Sequence, residues 1–188
     1  MGRIAREGHA LGHEVARDHQ AQRKGAAPAD LFARLEALGI ETSTVEHPPL
    51  FTVEESQRLR GEIPGQHTKN LFLVDRKGVI VLVVAREDAD IDLKRLHLRL
   101  GCGRLSFGKP ELLEEVLGIR PGAVTPFALI NDGQGRVSVV LDEAMMREPI
   151  LNFHPLVNTA TTAIRAEDLL RFIRATGHEP RVLAVSDA

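Results

Sequence analysis

The stretch 69-KNLFLVDRKGVIVLVVA-85 decides how this sequence is expected to fold. Two runs rich in β-branched and other apolar residues, Lys69–Asp75 and Val79–Ala85, flank the polar tripeptide Arg76-Lys77-Gly78. Apolar runs of this length on either side of a short turn that contains glycine are typical of a β-hairpin. We therefore predict two neighbouring antiparallel strands here.

Helical and strand patterns alternate irregularly around this hairpin. Leucines recur at helical spacing before Gly39, and Pro110 is well placed to start a helix that stops at Gly118. Thr52 and Glu55 form a capping box, which predicts a further short helix. In full, the patterns predict helices at 31–38, 90–100, 110–118 and 166–176, and strands at 40–47, 103–107, 158–164 and 181–185.

A second hairpin is predicted where Phe127–Asn131 and Val137–Leu141 flank the turn residues Asp132-Gly133-Gln134-Gly135. Two hairpins with dispersed helices do not make a repeating βαβ pattern. The predicted fold class is therefore α+β, with a mixed, partly closed β-sheet and flanking helices.

The composition excludes several classes of protein. The 188 residues carry 24 Lys and Arg against 26 Asp and Glu, so the formal net charge is −2, and there is no Tyr or Trp. Such a chain is not a polybasic nucleic-acid binder or an aromatic stacking platform for single strands. Its longest apolar run, Val79–Ala85, is far too short to span a bilayer.

The single cysteine, Cys102, rules out an intramolecular disulfide, and its glycine neighbours favour a buried or incidental thiol over a nucleophile. Residues 1–27 are poor in large apolar side chains, so we expect a poorly packed extension before a single domain at 28–188. His9 and His13 have the spacing of a helical metal pair, but no third ligand follows in a family-like pattern, and we predict no metal site. No signal peptide is apparent, and we expect a cytoplasmic protein.

The common catalytic motifs for phosphate binding, dinucleotide binding, zinc proteolysis and serine hydrolysis are absent from the sequence. The candidate site residues instead lie in polar segments next to apolar strands. Lys69 opens the strand 69–75 in a chain with only five lysines and nineteen arginines. A lysine at that place is either an edge residue that discourages pairing or a compact cation for a phosphate or carbonyl oxygen.

Two further segments are candidates. In Gly122-Ala123-Val124-Thr125-Pro126, glycine permits unusual backbone angles and proline removes an amide donor, so the loop either presents fixed backbone groups to a ligand or is an ordinary turn. His154 lies between Phe153 and Pro155 in a segment poor in charge. Its side chain suits acid–base work, although a lone histidine is more often a hydrogen-bonded structural residue.

Taken in order along the chain, these segments resemble the YbaK/ProX family of aminoacyl-tRNA deacylases, which also occurs as the editing domain of bacterial prolyl-tRNA synthetases. The resemblance covers about Leu31 to Val185 and is closest to the freestanding ProX type, which removes alanine from mischarged prolyl tRNA. Its markers are 47-HPP-49, 52-TVEE-55, 67-HTKNLFL-73, 103-GRLSF-107, 122-GAVTP-126 and 152-NFHPLVN-158.

The resemblance implies a mixed sheet that closes around a pocket, and it implies roles for particular residues. The essential lysine of the family corresponds to Lys69, with Asn70 beside it as a substrate-binding residue. The substrate loop corresponds to Gly122, Ala123, Val124, Thr125 and Pro126, and the pocket histidine to His154. The implied activity is hydrolysis of the aminoacyl ester of a mischarged tRNA, most specifically alanyl-tRNA for proline, without a cofactor.

Several alternatives stay open from the sequence. The same pocket suits a deacylase for another small amino acid, such as cysteine or serine. It also suits a non-catalytic module that binds an aminoacyl-tRNA end or a synthetase, with prolyl-tRNA synthetase as the expected partner. A nucleic-acid-binding regulator requires an exposed basic face, and the net charge argues against one.

Overall fold

A computed structural model describes residues 25–49, 58 and 63–186 of the chain. Most of the predicted extension at 1–27, and the capping box of Thr52 and Glu55, lie outside the described residues.

An eight-stranded mixed sheet organises the described residues in the order β1-β7-β6-β2-β3-β5-β8, with β4 paired to β2. The strands β2 and β3 pair antiparallel from Thr68 to Val74, which confirms the predicted first hairpin. Parallel pairs join β3 to β5, β5 to β8 and β2 to β6, so the predicted mixed sheet is also confirmed. The strands are β1 Ser43–Glu46, β2 Gln66–Asp75, β3 Ile80–Arg86, β4 Leu105–Phe107, β5 Val137–Asp142, β6 Ile150–Phe153, β7 Ala160–Arg165 and β8 Arg181–Leu183.

Four α-helices lie around the sheet in the described part of the chain: α1 Pro28–Ala37, α2 Leu96–Leu100, α3 Pro110–Leu117 and α4 Ala166–Ala175. Proline at the first position of α1 and of α3 leaves no amide unpaired there, and Gly118 ends α3 with a φ of 64°. Two short 3₁₀ helices cover Pro126–Asn131 and Met145–Arg147. None of the described helices is long and apolar enough to cross a membrane.

Alternating strand residues divide the apolar side chains between two faces of the sheet. The first face carries the larger core, where Phe72, Leu82 and Phe153 pack with apolar residues of α1, α3, α4 and the first 3₁₀ helix. The second face carries a smaller cluster, in which Leu73 and Val83 pack against α2. We call these the first face and the second face.

The predicted second hairpin is wrong. Phe127–Asn131 forms a 3₁₀ helix instead of a strand, because Pro126 starts the helix and the Thr125 hydroxyl accepts a hydrogen bond from the Phe127 amide at 3.3 Å. Asp132 then accepts hydrogen bonds from the amides of Arg136 and Val137, which directs the chain into β5. Strand β5 pairs in parallel with β3, so its partner comes from the first hairpin.

Three other elements differ from the sequence patterns. The predicted helix at 90–100 is helical only at Leu96–Leu100, after turns that begin with the Asp92 carboxylate bound to the Lys94 amide. The strand predicted at 40–47 is confined to Ser43–Glu46, an exposed edge strand. The sequence patterns predict no element at 150–153, where the structure has β6, which packs Phe153 into the first core.

Candidate active site

Lys69 lies within β2, three residues after the strand begins and opposite Ala85 of β3. Its side chain is half-buried, and its Nζ donates a hydrogen bond to the carbonyl oxygen of Ala89, just beyond β3. An ammonium held by one carbonyl still has two N–H groups to donate. Lys69 therefore presents a partly desolvated cation at the middle of the sheet.

Two more polar side chains share the second face with Lys69. His67 precedes it by two residues on β2, so both side chains point to the same side of the sheet. Strand β6 runs parallel to this end of β2, with Asn152 paired to His67. The atoms His67 Nε2 and Asn152 Oδ1 are buried without a hydrogen-bond partner in the described structure.

His154 follows β6 directly, and its surroundings fix its protonation. Its Nδ1 lies 2.9 Å from the carbonyl oxygen of Ala160, and because a carbonyl only accepts, Nδ1 carries the proton. Burial lowers the pKa of His154 below its usual 6.5, against the opposing effect of the Ala160 carbonyl, and the nearby His47 and His67 lower it further. The ring is therefore neutral near pH 7, with a free lone pair on Nε2.

His47 completes a group of three histidines around this position. Its ring centroid lies 6.3 Å from that of His154, its Nδ1 donates to the Pro48 carbonyl oxygen at 2.9 Å, and its Nε2 lies 3.0 Å from the Thr161 hydroxyl. Sequence reasoning did not name His47 or His67 as site residues, although both lie in quoted markers. Their convergence depends on pairing between β1, β7, β6 and β2, which joins distant parts of the chain.

Asn70 does not share a face with Lys69. Adjacent residues of a strand point to opposite sides, so Asn70 points to the first face, as Phe72 does. Its Oδ1 is buried and has no hydrogen-bond partner in the described structure. A role for Asn70 beside the Lys69 ammonium is therefore not supported by the register, and its contribution to substrate binding remains a prediction.

The loop Gly122–Pro126 lies on the first-face side of the molecule. Gly122 is exposed and has a φ of 91°, a conformation that favours glycine, whereas Thr125 and Pro126 are buried. Phe127, directly after the loop, packs edge-on against Phe153 with ring centroids 5.7 Å apart. The loop is thereby anchored next to the strand that leads into His154, although no hydrogen bond of the described residues joins it to Lys69.

Comparison with known proteins assigns this arrangement to a family. The family model described as "Aminoacyl-tRNA editing domain" matches residues 47–172, about two thirds of the chain. The chain belongs to the aminoacyl-tRNA editing domain family. The matched range includes His47, Lys69, the loop Gly122–Pro126 and His154, so every predicted site residue lies within the editing domain.

Named relatives of this editing domain come from animals and bacteria. The chain is 42% identical over 164 residues to "Prolyl-tRNA synthetase associated domain-containing protein 1" of Danio rerio, covering 84% of this chain and 89% of the relative. It is 38% identical over 149 residues to "Prolyl-tRNA editing protein ProX" of Acetoanaerobium sticklandii, covering 79% and 91%.

The fold also matches a solved structure. A crystal structure of a proposed trans-editing enzyme for prolyl-tRNA synthetase superimposes with a TM-score of 0.66 at 24% identity, covering 87% of this chain and 99% of the other. At that identity the likeness establishes the fold of the editing domain and nothing about its chemistry.

Two further features of this editing domain concern metal binding and the reactivity of its cysteine. Among the described residues, no group of three or more His, Cys, Asp or Glu side chains is arranged to hold a metal ion. Cys102 is partly buried in the turn after α2, and burial, with the nearby Asp75 carboxylate, raises the pKa of its thiol. A thiol with a raised pKa is a poor nucleophile, which agrees with its predicted incidental role.

Proposed function

We propose that this chain hydrolyses the ester that links an amino acid to the terminal ribose of a mischarged tRNA, and that it acts as a free-standing enzyme. The observation that carries the proposal is a half-buried lysine, held by the Ala89 carbonyl, in an editing domain that also contains the buried, neutral His154. The bacterial relative named ProX supports the same reaction.

Hydrolysis of an aminoacyl ester requires only a few catalytic groups. Water attacks the carbonyl carbon, the carbonyl oxygen becomes an oxyanion, and the bond to the ribose oxygen then breaks as that oxygen takes a proton. Lys69 is proposed to bind the oxyanion or the adjacent ribose oxygen, because a fixed cation in a partly desolvated site stabilises charge that develops in the transition state. The Ala89 carbonyl holds the ammonium in position.

His154 is proposed to orient the substrate as a hydrogen-bond acceptor. Its Nδ1 proton is committed to Ala160, so Nε2 accepts from the free ribose hydroxyl or from the attacking water. The free ribose hydroxyl is the proposed proton relay: it gives its proton to the departing ribose oxygen and takes up the proton that the attacking water loses. Asn70 and the loop Gly122–Pro126 keep their predicted substrate-binding role as part of this proposal, with Asn70 on the face opposite to Lys69.

Alanyl-tRNA for proline is the substrate that we propose. A synthetase site built for proline rejects the smaller alanine weakly, because a missing methylene changes binding by only about 1–3 kcal/mol. A second pocket that admits alanine and excludes proline by steric clash corrects that error. The names of both relatives refer to prolyl-tRNA or its synthetase, so we propose tRNA for proline as substrate and its synthetase as a cytoplasmic partner.

Substitution of Lys69 tests the reaction. We expect Lys69→Ala to lower the rate constant for deacylation of alanyl-tRNA for proline by at least about 100-fold, the typical cost of losing one group that stabilises an oxyanion. The matched control is Lys109→Ala, which removes an exposed lysine at the start of α3 and should retain full activity. Circular dichroism establishes that both variants fold. A folded Lys69→Ala protein with normal activity contradicts the assignment.

A substrate panel separates the proposal from its alternatives. Alanyl-, cysteinyl-, seryl- and prolyl-tRNA are compared with the same enzyme preparation, and we expect the alanyl ester to be hydrolysed fastest. Equal rates for alanyl and prolyl esters rule out the size-based role. Binding of aminoacyl-tRNA without any hydrolysis identifies a non-catalytic module.

A further inference from the structure

The surface next to the second core has an unusual distribution of charge. The 17 residues 93–109 contain five Lys and Arg and no Asp or Glu, so all 26 acidic residues of the chain lie elsewhere. Residues 93–109, which we call the basic segment, are therefore locally positive although the net charge of the whole chain is −2. Arg76 and Lys77 at the turn of the first hairpin are also exposed.

The fold brings these residues together. Antiparallel pairing of β2 with β4 ends at Asp75 and Leu105, from which the chain continues to Arg76 and back to Arg104, and the Gly103 amide donates to the Asp75 carboxylate at 3.0 Å. Helix α2 has only five residues, about 7.5 Å of helix, and separates Lys94 and Arg95 from the turn that leads to Arg104. We call the five exposed cations Arg76, Lys77, Lys94, Arg95 and Arg104 the basic surface.

The cations of the basic surface lack the ion pairs that other cations of the molecule have. Within residues 25–49 and 63–186, none of the five side chains forms an ion pair or a hydrogen bond of its own. Elsewhere, arginines pair with carboxylates in Arg86–Asp88, Arg136–Glu115, Arg147–Glu143, Arg165–Asp168, Arg171–Asp168 and Arg174–Glu179. Unpaired cations gathered in one place are available for an external anion.

The basic surface and the candidate active site are connected by β2, while the exposed Asp90 and Asp92 lie between Ala89 and the basic segment. Lys69 and Asp75 lie on the same strand, so the hairpin end of the surface is roughly 20 Å from the reactive lysine. Ala89, whose carbonyl binds the Lys69 ammonium, precedes the basic segment by only a few residues. A groove of about 720 Å³ borders the surface, with Lys77, Gly103 and Arg181 in its lining. Phe107 and Leu98 of the segment 93–109 are exposed, at 63% and 66%.

We propose that the basic surface binds the phosphate backbone of the tRNA acceptor stem while the aminoacylated end reaches Lys69. This inference rests on the proposed function. RNA is favoured over an acidic protein because the proposed substrate itself carries closely spaced phosphates, and a 20 Å separation suits a short single-stranded end between stem and ester. The exposed Phe107 ring offers an apolar contact for a base or sugar at the edge of the surface.

Charge neutralisation tests the proposal. The double variant Arg95→Gln/Arg104→Gln is compared with Arg136→Gln/Arg174→Gln, which removes the same number of charges from arginines that are ion-paired. For aminoacyl-tRNA we expect KM to rise about tenfold in the first variant, with kcat unchanged within about twofold, and no change in the second. The dependence of log(kcat/KM) on log salt should become less steep by about one per lost phosphate contact.

A truncated substrate isolates the backbone contact. An alanyl ester of the trinucleotide CCA lacks the stem phosphates, so wild type and both double variants should hydrolyse it equally. An unchanged KM for tRNA in Arg95→Gln/Arg104→Gln overturns the proposal, as does an equal loss on the trinucleotide ester. If the basic surface binds only the synthetase, KM for tRNA is unchanged in Arg95→Gln/Arg104→Gln.

Binding measurements separate this inference from the proposed reaction. If wild type hydrolyses neither substrate, the proposed function fails, and titration of fluorescent tRNA against each protein still tests the surface. Weaker, less salt-dependent binding by Arg95→Gln/Arg104→Gln then supports the basic surface alone. Equal binding by all three proteins overturns it.

Discussion

The two faces of the sheet differ in how much apolar surface they bury. The first core contains 26 buried residues of the described chain and is covered by α1, α3 and α4, whereas the second contains eight and is covered mainly by α2. Lys69, His67 and His154 lie on the side with the smaller cluster. Polar groups are costly in a dry core, so the division leaves stability to the first face and reserves the second for polar chemistry.

The largest effect on stability is expected from the first core. Phe172 is fully buried on α4, and its ring meets that of Phe127 edge-on with centroids 5.4 Å apart. Phe172→Ala leaves a large cavity, and we expect the free energy of unfolding to fall by about 3–5 kcal/mol. Urea unfolding followed by circular dichroism measures the change. A cost below about 2 kcal/mol contradicts the assignment of stability to this face.

A smaller cost is expected from the second core. Leu100 ends α2 and packs in the smaller cluster, where fewer neighbours surround it. We expect Leu100→Ala to lower the free energy of unfolding by about 2 kcal/mol, at the low end for buried leucine. Since α2 adjoins the basic surface, KM for aminoacyl-tRNA should rise as well, which Phe172→Ala at permissive temperature should not cause. A loss of stability equal to that of Phe172→Ala removes the distinction between the faces.

The smallest expected effect is on the pH dependence of stability. Burial lowers the pKa of His154 below 6.5, so between that lowered pKa and 6.5 the unfolded chain binds more protons than the folded protein. The contribution of neutral His154 to stability is therefore complete above about pH 6.5 and decreases as the pH falls through this window.

Urea unfolding at several pH values between 5 and 7.5 measures this dependence. We expect the free energy of unfolding to decrease less steeply with acid in His154→Gln, which has no titrating group at this position, than in wild type. Identical pH dependence in the two proteins shows that His154 does not titrate differently in the folded state.

The elements that could be predicted from sequence are those determined by residues close together along the chain. The first hairpin follows from two apolar runs and a short turn, and α3 follows from Pro110 and Gly118. The second hairpin was wrong because the same apolar pattern suits a buried 3₁₀ helix, and because the partner of β5 is the distant β3. Strand β6 has only four residues, too few for a clear pattern.

The candidate site shows the same limit. Lys69 and His154 are predicted as site residues from the family resemblance, but the meeting of His154 with His47 depends on a register that sequence does not reveal. Asn70 is different, because strand alternation alone places it on the face opposite to Lys69. Lys69 and Asn70 belong to one sequence motif, but because they are adjacent in one strand, their side chains point to opposite faces of the sheet.

The edge position of β1 has a consequence for how the chain is made. Thr44 of β1 bonds through its hydroxyl to Thr162 of β7, 118 residues later. At a synthesis rate of about 5–20 residues per second, β1 waits roughly 6–24 s for its partner. The two strands of the hairpin β2–β3 are synthesised one after the other, so we expect the sheet to grow outward from the hairpin that carries Lys69 and the β1 edge to form late.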